Sequence, residues 1–92
     1  MENFTPTQAR ACTYVRCESF KIDGVHQYWI IAVTDEDGLY YEWNDKSLPG
    51  TSNINAVKSA SLTTLTGMQK RLPAPVKTTD ELDGIIGTTV GE

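Results

Sequence analysis

The chain has few of the residues on which the commonest functions depend. Its 92 residues include one histidine, two cysteines, and eight basic side chains against twelve acidic ones, for a formal net charge of -4. Proteins that neutralise phosphates need clustered cations, and the longest basic run here is the pair Lys70 and Arg71. The composition therefore disfavours nucleic acid as a partner.

Long apolar runs are also missing. No stretch approaches the roughly 18 apolar residues that a membrane-spanning helix needs. Residues 1–4 carry an acid and no basic, apolar leader of the secretory type. We therefore expect a cytoplasmic protein that does not contact a membrane.

The motifs of the common enzyme classes are absent from the sequence. There is no glycine-rich phosphate loop and no GxSxG turn. His26, the only histidine, is predicted to lie in an exposed strand opposite Lys21. Cys12 and Cys17 are five apart in an extended segment, which predicts free thiols, and with His26 they lack the spacing of a zinc site. We expect no catalytic residues, no metal and no cofactor.

What the sequence contains is enough for one small domain. Apolar residues make up 39% of the chain, and a chain of this length buries one modest core. The patterns predict a single α+β domain over residues 1–92. It consists of an N-terminal turn (1–12), a β-meander (13–45), a main helix (52–72) and a C-terminal arm (73–92).

The β-meander is predicted from its turns. Asp23-Gly24 separates two β-branched and aromatic segments, as in a two-residue type I′ hairpin. Residues 35–38 form a second turn, so the third antiparallel strand follows at 39–44. Uninterrupted pairing from Ile22 and Val25 assigns the side chains to two faces. The predicted core face holds Tyr14, Phe20, Trp29, Ile31, Val33, Tyr41 and Trp43, and the second face holds Val15, Cys17, Ser19, Tyr28, Ile30, Ala32, Tyr40 and Glu42.

The main helix is predicted from an apolar stripe. At 100° per residue one face collects Ile54, Val57, Leu62, Leu65, Met68 and Leu72. Lys58 and Ser61 fall inside that stripe. They either occupy an edge and a close-packing position, or line a polar, ligand-binding pocket between helix and sheet.

Both ends of the chain carry capping-box patterns. Thr5 to Gln8, with Pro6 at the first helical position, predicts a short N-terminal helical turn. Thr78 to Glu81 predicts a short acidic helix at 79–86 that ends at Gly87.

The second face is too apolar to be an ordinary wetted surface, which favours a protein-interaction module of the regulatory, inhibitory or viral accessory type. Its interaction residues would be Tyr28, Ile30, Tyr40 and Glu42, aided by the acidic C-terminal arm. The partner would be another protein or a second copy, and we expect a homo-oligomer such as a homodimer. The alternative is a small-molecule-binding or sequestering protein, with the pocket of Lys58 and Ser61 or one at a dimer seam.

The order of helix, three antiparallel strands and helix resembles, in topology alone, double-stranded-RNA-binding domains and three-stranded-sheet DNA readers. The first family presents a lysine cluster at the start of its last helix, where residues 52–58 offer only Lys58. The second places Arg and Lys across the exposed sheet face, where this chain has apolar and acidic groups. Nucleic-acid binding is therefore the third hypothesis.

Overall fold

The computed structural model describes residues 3–68, 79–82 and 84–91, and it shows an α+β fold. The elements, in chain order, are α1 (Pro6–Arg10), β1 (Thr13–Ile22), β2 (Val25–Thr34), β3 (Tyr40–Asp45), α2 (Ile54–Leu65) and β4 (Thr79–Asp80). The antiparallel strands β1, β2 and β3 form the predicted meander, and β4 pairs in parallel with β1, which gives the strand order β3-β2-β1-β4.

The first helix and the two turns lie where the short sequence patterns predicted them. Thr5 and Gln8 form the predicted capping box at the start of α1. Asp23 and Gly24 have φ values of 51° and 78°, the left-handed pair that a type I′ turn requires. In the second turn the Asp35 carboxylate accepts two backbone N–H bonds at 2.9 Å each, which fixes the loop before β3.

The pairing of β1 with β2 contains two irregularities that the sequence did not reveal. Ile22 pairs with Val25 and Tyr14 with Val33, as predicted. Between these pairs Gln27 is an extra residue in β2 and Val15 is an extra residue in β1, so the register is offset by one across the middle of the ladder.

Because of this offset, the side chains in the middle of β1 lie on the opposite face of the sheet from the one predicted. Cys17 and Ser19 now lie opposite Ile31 and Trp29 on the core face, whereas the prediction placed them on the second face. Phe20 pairs with Tyr28 and is 38% exposed, so its predicted core position is wrong. As observed, the second face carries Arg16, Glu18, Phe20, Tyr28, Ile30, Ala32, Tyr40 and Glu42.

The core lies between the core face of the sheet and α2. Asn53 caps α2 by accepting a hydrogen bond from the Ala56 N–H at 2.9 Å. Cys12 and Cys17 are both buried, and neither forms a disulfide with another described residue. The buried cluster comprises Phe4, Ala9, Cys12, Tyr14, Cys17, Trp29, Ile31, Val33, Tyr41, Val57, Leu65, Ile85 and Val90.

The main helix is shorter than predicted. α2 ends at Leu65, because Thr66 is extended and Gly67 has a φ of 88°. The chain then turns and forms two backbone hydrogen bonds with the N-terminal segment. The Phe4 N–H donates to Met68 O at 2.9 Å, and the Gly67 N–H donates to Phe4 O at 3.1 Å. The helix predicted over 52–72 is therefore present over Ile54–Leu65 and ends earlier than predicted, and positions 69–72 lie outside the described residues.

The predicted helix at 79–86 is also wrong. Thr79 and Asp80 pair in parallel with β1, and the Glu81 N–H donates to Cys17 O on the same edge at 2.9 Å. The backbone N–H of Gly87 donates to Tyr14 O and that of Val90 donates to Cys12 O, each at 3.0 Å. The C-terminal arm therefore satisfies backbone groups of β1 that would otherwise form an open sheet edge.

Two buried tyrosines provide a test of this core. The Tyr14 hydroxyl is buried and makes no hydrogen bond with the described residues, whereas the Tyr41 hydroxyl donates to Asp35 Oδ2 at 2.9 Å. We expect Tyr14→Phe to raise the free energy of unfolding by about 1 kcal/mol and Tyr41→Phe to lower it by about the same amount. Urea denaturation of both variants measures this, and an equal loss in both would contradict the assignment.

Candidate functional site

Exposed apolar side chains are concentrated at one end of the second face. Phe20, Ile22 and Val25 are 38%, 53% and 61% exposed. They flank the β1–β2 turn, and strand alternation places all three on the same face as Tyr28 and Ile30. We call these five residues the hairpin patch.

The hairpin patch is held in one shape by an aromatic pair. The rings of Phe20 and Tyr28 stack with centroids 4.8 Å apart and planes 15° apart. Such pairs are stabilising beyond the area they bury, and an ordered aromatic loses little entropy on binding. The patch is therefore a preformed apolar surface.

Next to the hairpin patch an ionic network crosses all three antiparallel strands. Arg16 donates to Glu18 Oε2 through Nη2 at 2.7 Å and to Glu42 Oε1 through Nη1 at 2.6 Å. The Tyr40 hydroxyl donates to the same Glu42 oxygen at 2.5 Å. Arg16 lies opposite Ala32, which is fully buried, so its side chain belongs to the covered part of this face.

The network affects the ionisation of two of its members. Burial opposes the charge on Arg16, but the bonds to Glu18 and Glu42 outweigh it and raise the pKa of the guanidinium. Burial, followed by the bond to Glu42, raises the pKa of Tyr40 to about 12. At neutral pH the Arg16 guanidinium is therefore positively charged and the Tyr40 hydroxyl is protonated and neutral.

The predicted interaction residues fall into two groups. Tyr28 and Ile30 are half-buried members of the hairpin patch. Tyr40 and Glu42 lie on the same face but bond to one another inside the ionic network. Sequence reasoning missed Phe20 because the bulges were not visible, although Ile22 and Val25 could have been found as apolar residues flanking the Asp23-Gly24 turn.

Of the two residues predicted either to occupy an edge and a close-packing position or to line a pocket, Lys58 is half-buried on α2. Ser61 is fully buried and its hydroxyl donates to Val57 O at 2.7 Å, so the close-packing alternative describes it. Burial raises the pKa of the neighbouring Tyr14 phenol. Two crevices of about 130 and 690 Å³ lie elsewhere, beside Phe4 and beside Ser52.

On the core face, beyond the buried cluster, the structure assembles a polar group that sequence reasoning did not find. Ser19 Oγ lies 2.6 Å from His26 Nδ1, and His26 Nε2 lies 3.1 Å from Leu48 O. The prediction had placed Ser19 on the second face. We call Ser19, His26 and the Leu48 carbonyl the imidazole cluster.

Close packing fixes the imidazole cluster. A Cβ on Gly50 would lie 2.9 Å from His26 Cβ, so glycine permits the loop to approach the ring. Trp29 Nε1 donates to Pro49 O at 2.9 Å and holds the same loop. Beside the cluster, Glu81 Oε2 accepts the Ser19 backbone N–H at 2.7 Å.

Comparisons with known proteins do not assign this site. No family model, no curated protein and no solved structure matches the chain. Within the described ranges, no group of three or more His, Cys, Asp or Glu side chains is placed to hold a metal ion. In the same ranges, neither helix has the length and apolar character needed to cross a membrane.

The raised pKa of Tyr40 has a consequence for stability. Between about pH 10, where an exposed tyrosine titrates, and about pH 12, the unfolded chain releases the Tyr40 proton while the folded chain retains it. Stability therefore falls as the pH rises through this window. We expect the free energy of unfolding of Tyr40→Phe to decrease less over this pH range, because phenylalanine has no proton to release. Urea denaturation at pH 9 to 12 measures this. Identical slopes in the two proteins would contradict the role of the network.

Proposed function

We propose that the protein is a small interaction module that binds another protein through the hairpin patch. The observation that carries this proposal is the grouping of Phe20, Ile22 and Val25 on one face, at exposures of 38% to 61%. Contiguous exposed apolar side chains are costly in water and are typical of protein interaction surfaces. Tyr28, stacked on Phe20, adds the aromatic contact that is common at interface centres.

The size of the hairpin patch indicates a modest, reversible contact. Burial of apolar surface contributes about 25 cal/mol per Å², and stable complexes bury about 800 Å² on each partner. Five side chains supply only part of such an area. The partner should therefore also contact the polar rim, which begins at Glu18.

The charge of that rim specifies the chemistry of the partner. Arg16 is only 12% exposed at its side chain and is already bonded to Glu18 and Glu42, so this face has one engaged guanidinium against two carboxylates. The Glu18 side chain is 32% exposed. A partner that presents apolar side chains beside a Lys or Arg complements this arrangement.

The same charges disfavour a second copy of this chain as the occupant. The second face of another copy would bring the same network, with its guanidinium already engaged, and would add carboxylates of like charge. The whole chain carries a formal charge of -4, so self-association also opposes the overall charge. We therefore favour a different protein over the homo-oligomer that the sequence led us to expect.

The acidic C-terminal arm is not part of this proposal. Its described backbone lies along the opposite edge of β1, and the Glu81 carboxylate accepts the Ser19 N–H and lies 4.0 Å from Lys21 Nζ. These contacts support a structural role for the arm.

Photo-crosslinking tests the proposed surface directly. A photoreactive phenylalanine analogue replaces Ile22, or the exposed α2 residue Thr63 as the matched control, in the full chain in its native cells. We expect one protein to be captured from position 22 and not from position 63. Capture only of a second copy would identify self-association instead and would overturn the choice of partner, and equal capture at both positions would overturn the surface.

Binding by the captured protein, once purified, gives the quantitative test. We expect Phe20→Ser and Val25→Ser each to weaken binding about 10-fold or more, because exposed interface aromatics and aliphatics lose their contact area. We also expect Glu18→Lys to weaken binding and Thr63→Ala to leave it unchanged, measured by calorimetry. Unfolding curves provide the stability control. Unchanged affinity in all three patch and rim variants would contradict the proposal.

A further inference from the structure

We propose that Ser19 is an activated nucleophile that accepts an acyl group from small activated esters, with His26 as its general base. The observation behind the proposal is the imidazole cluster, in which a hydroxyl, an imidazole and a backbone carbonyl lie in one chain of hydrogen bonds. This site is on the opposite face of the sheet from the hairpin patch. The proposal therefore does not depend on the interaction function.

The positions of the protons follow from the bonding partners. A backbone carbonyl only accepts, so the bond to Leu48 O at 3.1 Å requires the hydrogen on His26 Nε2. In the neutral ring the lone pair then lies on Nδ1. Ser19 Oγ, 2.6 Å away, donates its hydrogen to that lone pair. This is the arrangement of nucleophile, base and orienting group that activates a serine.

The base is held in place before any substrate arrives. Leu48 belongs to a loop that Trp29 Nε1 fixes through Pro49 O, and the rings of His26 and Trp29 are 5.5 Å apart. Gly50 packs so closely that an added Cβ would collide with the His26 side chain. A preorganised base contributes more to a proton transfer than a mobile one.

The acyl transfer balances without any further reactant. The Ser19 oxygen forms a bond to the acyl carbon of the ester, and its proton moves to His26 Nδ1. The bond between the acyl carbon and the leaving oxygen breaks, and that oxygen takes the proton from His26. The products of this step are an ester on Ser19 and a free alcohol or phenol. Water can then attack the acyl carbon and give a proton to His26 Nδ1; the bond from the acyl carbon to the Ser19 oxygen breaks, that oxygen takes the proton, and a carboxylic acid is released.

The surroundings limit the class of substrate. The Ser19 N–H is bonded to Glu81 Oε2, so this donor does not serve the developing oxyanion. Good leaving groups are therefore required, as in aryl esters. The Glu81 carboxylate beside the serine also disfavours anionic acyl groups, which leaves small neutral ones such as acetyl. Lys21, 4.0 Å from Glu81 Oε1, offsets part of this negative charge.

Acetylation of the full chain by 4-nitrophenyl acetate tests the proposal. Peptide mapping by mass spectrometry measures the rate at each serine, and treatment with hydroxylamine distinguishes acetyl esters from the acetyl amides of lysines. We expect Ser19 to be acetylated about 10-fold or more faster than Ser59, an exposed serine of the same folded chain. We expect His26→Gln, which keeps hydrogen-bonding capacity without a base, to slow the acetylation of Ser19 to about the rate of Ser59, a loss of about 10-fold or more.

Two further variants separate reactivity from folding. Ser19→Ala should abolish the hydroxylamine-sensitive adduct at this peptide, and Gly50→Ala, which displaces the imidazole, should slow Ser19 while removing no functional group. Unfolding curves of each variant show whether the fold is retained. If the wild-type chain modifies Ser19 no faster than Ser59, or if acetyl groups appear only on lysines, the proposal is wrong whatever the stability of the variants.

Discussion

The one-residue offset between β1 and β2 determines the rest of this structure. Gln27 and Val15 are the extra residues, and between them the strands are shifted relative to the uninterrupted ladder. Because side chains alternate between faces, a shift of one residue exchanges the two faces of the strand that is shifted. It brings Ser19 to His26 and Cys17 into the core, and it brings Arg16, Glu18 and Phe20 to the second face. Both candidate sites therefore have a common origin in the paired bulges.

The features that could be predicted are those determined by neighbouring residues. The capping box at Thr5, the turn at Asp23-Gly24 and the three-stranded meander depend on short-range chemistry that the sequence displays. Tyr14, Trp29, Ile31, Val33 and Tyr41 were assigned correctly to the core, since they lie outside the shifted part of β1 or on β2 and β3. The α+β class follows from these elements.

The features that could not be predicted depend on contacts between distant residues. The two bulges have no sequence signature such as a glycine, and the end of α2 is set partly by bonds between residues 67–68 and Phe4. The capping-box pattern at Thr78 predicted a helix, but pairing of Thr79 and Asp80 with β1 prevails because it satisfies the backbone groups of a strand edge. Ser19 and His26 are seven residues apart, and no local pattern indicates that they meet.

The C-terminal arm also sets the order in which this fold can be completed. The Glu81 carboxylate bonds to the Ser19 N–H across 62 positions of sequence, and Ile85 and Val90 complete the buried cluster. Contacts between distant residues form slowly, because the intervening chain must first be closed into a loop. During synthesis on the ribosome, the meander and α2 would emerge first with the outer edge of β1 still unpaired. Such an edge is open to strand exchange with other nascent chains until residues 79–91 follow.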